Sequence, residues 1–372
     1  MRFLHTADWH IGKKLQGYDL LEDQRKVLED VLQIAKEEVV DAIVIAGDLY
    51  DRGVPPVDAV QMFNEQMVQW NLKEGFPILA ISGNHDSSTR VSVGTSWFKH
   101  SAFFLNTQLK EAFEPITIKD VQFFLLPYFE PVAARLYFDD DSIRTIDQAI
   151  VPVLEKMREK FDSTKKQVLV SHFFVSGSTR SDSETKIEVG GLDGIPGELL
   201  NDFDYVALGH LHNKNALQQE NARYSGSLLK YSLSEINQTK GVWIIDTEEQ
   251  RREFREVAPL HELIEVTASF DELLQPEFIK TIDKEAYLQV YLTDRAIIPN
   301  MMSHLRRIYP RILGIQRING REIRDVKQKQ TKQIRNPQTM ATDFFSVMTG
   351  EPLTNNQQNW LDQALQEAIE RD

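Results

Sequence analysis

The chain has 372 residues, no cysteine, and a net charge of −14 from 42 basic and 56 acidic side chains. That length calls for more than one hydrophobic core, and the missing thiols exclude disulfides, cysteine nucleophiles and cysteine-ligated zinc. A metal site must then be built from Asp, Asn, Glu and His, an oxygen–nitrogen shell suited to Mn, Mg, Fe or Zn.

The N-terminal residues Met1-Arg2-Phe3-Leu4-His5 lead straight into a motif, without a long apolar region and small-residue cleavage site. No apolar run approaches the ~18 residues that span a bilayer. The expected location is the cytoplasm. In chain order, residues 2–6, 42–46, 77–82, 121–126, 168–171 and 205–208 read as buried strands, apolar and bounded by turn residues. Helices are expected over Leu20–Val39, from its apolar spacing, and over Pro56–Leu72, which opens with proline. This alternation predicts a layered α/β domain over residues 1–258. Residues 259–338, with a strand at 286–292, read as a small α+β domain, and Asn336-Pro337 as a linker. Residues 339–372 read as a helical tail. There, Asn355–Glu370 places Trp360, Leu361, Ala364, Leu365, Ala368 and Ile369 on one face.

The acidic balance hides an asymmetry. Eleven basic residues lie between Arg295 and Arg335, among them Arg317, Arg321, Arg324 and Lys327, and only Glu322 and Asp325 oppose them. Such a surface suits contact with a phosphate backbone, although a charged run is also an ordinary solvated face.

Five short motifs follow strands: Asp8-Trp9-His10, Gly47-Asp48-Leu49-Tyr50-Asp51, Gly83-Asn84-His85-Asp86, Ser171-His172 and Gly209-His210-Leu211-His212. In an open α/β sheet, ligands gather at the carboxyl ends of strands, so these motifs can converge despite their separation. Two residues apart in extended chain, Asp8 and His10 share a face, as do His210 and His212. Singly, each has an ordinary reading as a surface pair, a turn residue or a core histidine. Jointly, five of nine histidines in ordered strand-end motifs point to a dinuclear metal site. The glycines suit tight exits from the strands.

This set resembles the calcineurin-like metallophosphoesterases over roughly the first 250 residues. The resemblance implies a two-layer β-sandwich flanked by helices, with two divalent metals, Mn in the active form. One would be held by Asp8, His10, Asp48 and His212, the other by Asp48, Asn84, His172 and His210, with Asp48 bridging. It further implies that His85 faces the scissile phosphate as transition-state stabiliser or acid, oriented by Asp51.

Finer stretches narrow the resemblance: His5 to Lys13, Ile45 to Asp51, Ile81 to Ser87, Tyr205 to His212, and Tyr224-Ser225-Gly226-Ser227-Leu228-Leu229. They are similar to the SbcD nucleases, and the order of segments agrees: phosphoesterase, DNA-binding cap, helical tail. That resemblance implies 3′-to-5′ exonuclease action on double-stranded DNA and endonuclease action on single strands and hairpins. It also implies a homodimer working in DNA repair and recombination with an SbcC-type ABC ATPase. No Gly-x-x-x-x-Gly-Lys-Ser/Thr motif is present, so ATP hydrolysis would belong to the partner. By the same resemblance the tail, through Trp360, Leu361, Leu365 and Ile369, docks on the ATPase, and the Pro56–Leu72 helix pairs two copies. Met62, Phe63, Met67 and Trp70 along that helix are either core or pairing face. The leading alternative is a small-molecule phosphodiesterase or nucleotidase, which leaves the basic stretch and amphipathic tail unexplained. A degenerate, inactive binding module is a second alternative, and the complete motif set argues against it.

Overall fold

A computed structural model describes residues 1–184, 194–296, 298–318, 342, 345 and 353–369. Two sheets carry the first domain. One has six strands in the order Arg251–Glu256, Gly241–Asp246, Arg2–Thr6, Ala42–Ala46, Ile78–Ile81 and Phe103–Asn106. The other has five, in the order Ala222–Tyr224, Tyr205–Leu208, Lys166–Ser171, Val121–Leu126 and Ile116–Ile118. The strands from Arg2 to Asn106 within the first sheet run parallel, as do four of the five in the second.

Parallel strands covered on both faces must be apolar on both, so the sequence shows runs rather than alternation. Ala42–Ala46 and Ile78–Ile81 are buried at every position. Phe3, Val44, Leu79, Phe123, Val168 and Tyr205 fill the layer between the sheets. Each such large apolar side chain contributes roughly 1.5–3 kcal/mol relative to exposure. Helices cover the outer faces. Leu21–Glu37 buries Val27, Leu28, Val31 and Leu32, the face its spacing predicts.

The Pro56–Leu72 expectation resolves into two pieces. Pro56 occupies the position before the first turn, the α-helix covers Val57–Met67, and a π-helical turn covers Val68–Lys73. Met62, Met67 and Trp70 are buried, and Phe63 is partly so; Trp70 packs against Trp9 with ring centroids 5.2 Å apart. Met62, Met67 and Trp70 therefore take the core reading, while partly buried Phe63 packs against that core and also borders an open apolar cavity. The exposed apolar residues here are Val54, Val57, Val60 and Leu72.

The α+β region has a three-stranded sheet in the order Leu263–Ala268, Tyr287–Leu292 and Ile312–Arg317, with short helices at Phe270–Leu274, Pro276–Ile279 and Met301–Arg306. Leu273, Val290, Leu292, Leu305 and Ile312 form its core. It is joined to the first domain through Asp23, a buried carboxylate on the Leu21–Glu37 helix. Asp23 accepts from the His261 main-chain N–H at 3.0 Å and the Tyr287 hydroxyl at 3.0 Å, and faces His261 Nδ1 at 3.0 Å. Met1–Leu292 with Ile297–Gln316 forms one compact unit, and Thr293–Ala296 with Arg317–Asp372 a second. In the second unit a helix spans Asn355–Ile369, with Trp360 exposed and Leu361 half-buried. Arg321, Arg324 and Lys327 lie outside the described residues, as do the side chains of Leu365 and Ile369. Among the described residues, no helix is long and apolar enough to cross a membrane.

Candidate metal centre

All five motifs emerge at the same end of the sandwich. The loops after Arg2–Thr6 and Ala42–Ala46 are stitched together. Asp8 N–H donates to Gly47 O at 3.1 Å and His10 N–H to Asp48 O at 3.0 Å. The path is strained: Asp8, His10, Asp48 and His210 all have left-handed backbone, with φ of 53°, 43°, 51° and 95°. For residues other than glycine this costs on the order of 1–3 kcal/mol each, and such strain clusters at functional sites.

The glycines serve two purposes. Gly47, at φ +91°, makes the tight strand exit expected of it. Gly83 and Gly209 are instead required by close approach. A Cβ on Gly83 would lie 2.1 Å from Asp48 Oδ1, and one on Gly209 would lie 2.0 Å from Ala46 O.

Asp48 sits at the centre, buried. Its Oδ2 lies 3.5 Å from His10 Nε2 and 3.3 Å from His172 Nε2, and its Oδ1 accepts the His85 main-chain N–H at 2.9 Å. On one side, His10 Nε2 faces His212 Nε2 at 3.1 Å, with Asp8 within the same group. On the other, Asn84 Oδ1 lies 3.0 Å from His172 Nε2 and 3.1 Å from His210 Nδ1. The structure thus brings all seven candidate ligands together. Asp8 also groups with Asp48 and His172, so it borders both halves, where the resemblance implies only one.

The electrostatics fit a cation between these groups. Burial pushes the Asp8 carboxyl up to about 7, against the pull of His172 and His212. Burial also opposes ionisation of Asp48, but His172 and His10 hold it well below the usual carboxylate range. Burial lowers His172, yet Asp48 more than reverses this and lifts it to about 9. His210 falls to about 3 through burial and the neighbouring His172. Buried His10 Nδ1 has no hydrogen-bond partner. Facing ring nitrogens and a buried carboxyl that resists ionisation are what a bound divalent ion would reconcile. The donor set fits two divalent ions.

His85 lies beside this cluster, half-buried, its ring edge-on to His10 at 4.8 Å. Its Nδ1 is 2.9 Å from the Asp51 main-chain oxygen. The Asp51 carboxylate accepts from Lys13 Nζ at 2.6 Å. The expected Asp51–His85 relation therefore includes a main-chain contact, while the carboxylate's close hydrogen bond goes to a lysine that sequence reasoning does not single out.

Sequence reasoning also misses other residues. The Asp86 carboxylate accepts from the N–H groups of Gly83 at 2.9 Å, Leu49 at 3.1 Å and Tyr50 at 3.0 Å, tying two motif loops together. Burial and Asp48 nevertheless raise it to about 7. Behind His212 stand Ser183, Glu184, Glu235 and Lys240. Glu184 accepts from the His212 main-chain N–H at 2.7 Å. Burial would raise the Glu235 carboxyl, but His212 and Lys240 hold it well below its usual range. The Gly-Asn-His-Asp spelling could have flagged Asp86. No local signal marks the others.

Comparison with known proteins identifies relatives of the chain. Residues 1–214 match the calcineurin-like phosphoesterase family, and residues 259–349 match the type 5 capsule protein repressor C-terminal domain. The chain is 35% identical over 375 residues to the SbcD subunit of nuclease SbcCD from Staphylococcus epidermidis, covering 100% of both chains. It is 35% identical over 373 residues to the corresponding SbcCD nuclease subunit of Staphylococcus saprophyticus, covering 100% of this chain and 99% of that one. A dimetal phosphatase from Danio rerio aligns at 12% identity and a TM-score of 0.40, over 69% of this chain and 95% of that chain. With this family match and full-length identity of this kind, the chain belongs to the calcineurin-like phosphoesterase family, among the SbcD subunits of the SbcCD nucleases.

Proposed function

We propose that this protein is a metal-dependent DNA nuclease that hydrolyses phosphodiesters and works with an SbcC-type ATPase. The observation that carries this reading is the placement of Asp48 Oδ2 between His10 and His172, within a complete ring of Asp, Asn and His ligands, in a chain that matches nuclease subunits end to end. In this reading Asp8, His10, Asp48 and His212 hold one ion and Asp48, Asn84, His172 and His210 the other, with Mn as the active metal. Two such ions supply an acidified water and neutralise charge on the phosphoryl oxygens. The chain's own residues do the rest. His85 protonates the leaving oxygen, its ring held by the Asp51 main-chain oxygen. Asp86 holds the Asp48 and Asn84 loops in register.

The products expected are those of 3′-to-5′ digestion of double-stranded ends and of cuts in single strands and hairpins. Arg317, Arg321, Arg324 and Lys327 would contact phosphates, and the Asn355–Ile369 helix would dock on the ATPase through Trp360, Leu361, Leu365 and Ile369. Two copies would pair through exposed Val57, Val60, Leu72 and their neighbours Val54 and Val93. Val54, Val60, Leu72 and Val93 all line one cavity of about 500 Å³, an apolar concentration typical of an interaction site. The test is Mn-dependent cleavage of a hairpin oligonucleotide beside bis-p-nitrophenyl phosphate. Cleavage of the hairpin is expected; cleavage of the small ester alone would favour a small-molecule phosphodiesterase.

A further inference from the structure

His212 presents Nε2 to the cluster of candidate ligands, 3.1 Å from His10 Nε2, and turns Nδ1 toward a chain of polar groups that runs from half-buried Ser183 to fully buried Glu235. Ser183 Oγ lies 2.7 Å from Nδ1. The same hydroxyl donates to Glu235 Oε1, and that oxygen is itself 3.5 Å from Nδ1. Glu235 is fully buried. Its other oxygen accepts from Lys240 Nζ at 2.5 Å. Lys240, also buried, donates further to His212 O at 2.9 Å and Ser227 Oγ at 2.9 Å.

The direction of every bond in this chain follows from its end. A carboxylate paired with an ammonium can only accept, so Ser183 must donate to Glu235. Ser183 has one hydroxyl hydrogen, so toward His212 it can only accept. The hydrogen between them is then on Nδ1, which leaves the Nε2 lone pair for a metal. A buried ion pair is seldom a net gain in stability over well-packed apolar groups. Its use here is to fix a hydrogen-bond direction.

We propose that Glu235, clamped by Lys240 and acting through Ser183, is a positioning residue that fixes His212 as its Nδ1–H tautomer with Nε2 aimed at the metal. The inference rests on His212 being a ligand. His172 is held differently: its Nδ1 lies 2.7 Å from Ala46 O, a main-chain oxygen that imposes the same tautomer without a carboxylate. The relay therefore bears on the His212 side of the centre and leaves the His172 side alone.

Glu235→Gln keeps the shape but lets the amide donate to Ser183, which can then donate to Nδ1 and move the His212 proton to Nε2. Removing such an outer partner of a ligating histidine weakens metal affinity by ~10–100-fold. The experiment titrates Mn²⁺ into the metal-free full chain by calorimetry and reads the ring nitrogens of His212 by ¹⁵N NMR, with His212→Ala for assignment. The wild type should take two ions and show Nδ1–H. Glu235→Gln should bind one ion normally and the other ~10–100-fold more weakly, with His212 moved to Nε2–H. If that variant fails to fold, Glu235→Leu with Lys240→Met removes both charges and the acceptor for the Ser183 hydroxyl, frees that hydroxyl to donate to Nδ1, and should weaken the same ion. Wild-type affinity for both ions in a folded variant, or Nε2–H in the metal-free wild type, would overturn the proposal. His212→Ala separates the two levels: if it too binds both ions normally, the ligand assignment fails rather than the relay alone.

Discussion

Asp48 and His172 come from different sheets and meet at the mouth of the sandwich, Oδ2 3.3 Å from Nε2, both buried. One follows Ala42–Ala46 and the other follows Lys166–Ser171. The centre thus exists only when the two sheets are packed in register, and the strained loops around it are carried by the rigid strands behind them.

His85 stands apart from this pairing. His85→Ala is expected to bind both metal ions and DNA as the wild type does, and to lose ~10²–10⁴-fold in cleavage rate if it supplies the proton. Calorimetry and single-turnover cleavage check this. Loss of a metal ion from the variant would make His85 a ligand instead.

His5 gives the fold an acid limit. It is buried between the sheets, Nδ1 2.9 Å from the Tyr205 hydroxyl, and burial lowers it to about 3. The folded value lies below the unfolded one of about 6.5, so the fold favours the neutral ring. The associated stability is complete above pH 6.5 and is lost as pH falls toward 3, by ~1.4 kcal/mol per unit. In urea unfolding of the metal-free protein from pH 7 to pH 4, the wild type should lose more stability than His5→Gln, the difference between them following this slope.

The apolar surface around the Val57–Met67 helix predicts a dimer. Val57 is 81% exposed and Leu72 64% exposed, on elements whose other face is core. Val57→Glu with Leu72→Glu should give a folded monomer in light scattering at micromolar concentration where the wild type is dimeric. A wild-type monomer would count against the pairing.

The basic stretch predicts a salt effect. Neutralising Arg317, Arg321, Arg324 and Lys327 should weaken DNA binding uniformly across sequences. The slope of log affinity against log salt should fall by ~0.9 for each phosphate these side chains neutralise in the wild type. An unchanged slope would return the stretch to a solvated face.

The candidate ligands are legible in the sequence because each follows a continuous apolar run and carries an unusual side chain at a strand end, as Ala42–Ala46 leads to Asp48. The residues behind them are not. Ser183 is 29 positions from His212, Glu235 ends a three-residue 3-10 turn and Lys240 lies in the loop after it, so only folding reveals the contact. The strand Arg251–Glu256 escapes sequence reading because its charged alternation carries no apolar run. The stripe Met62, Met67 and Trp70 is visible, but a stripe does not say what covers it, and here it is the chain's own core.

The central claim is that one carboxylate, Asp48, serves both halves of the centre. Its most direct test is calorimetric titration of Mn²⁺ into Asp48→Asn, with hairpin cleavage followed in the same samples. Both ions should be lost or greatly weakened and cleavage should fall to background. Two ions bound at wild-type affinity, with cleavage at the wild-type rate, would contradict it.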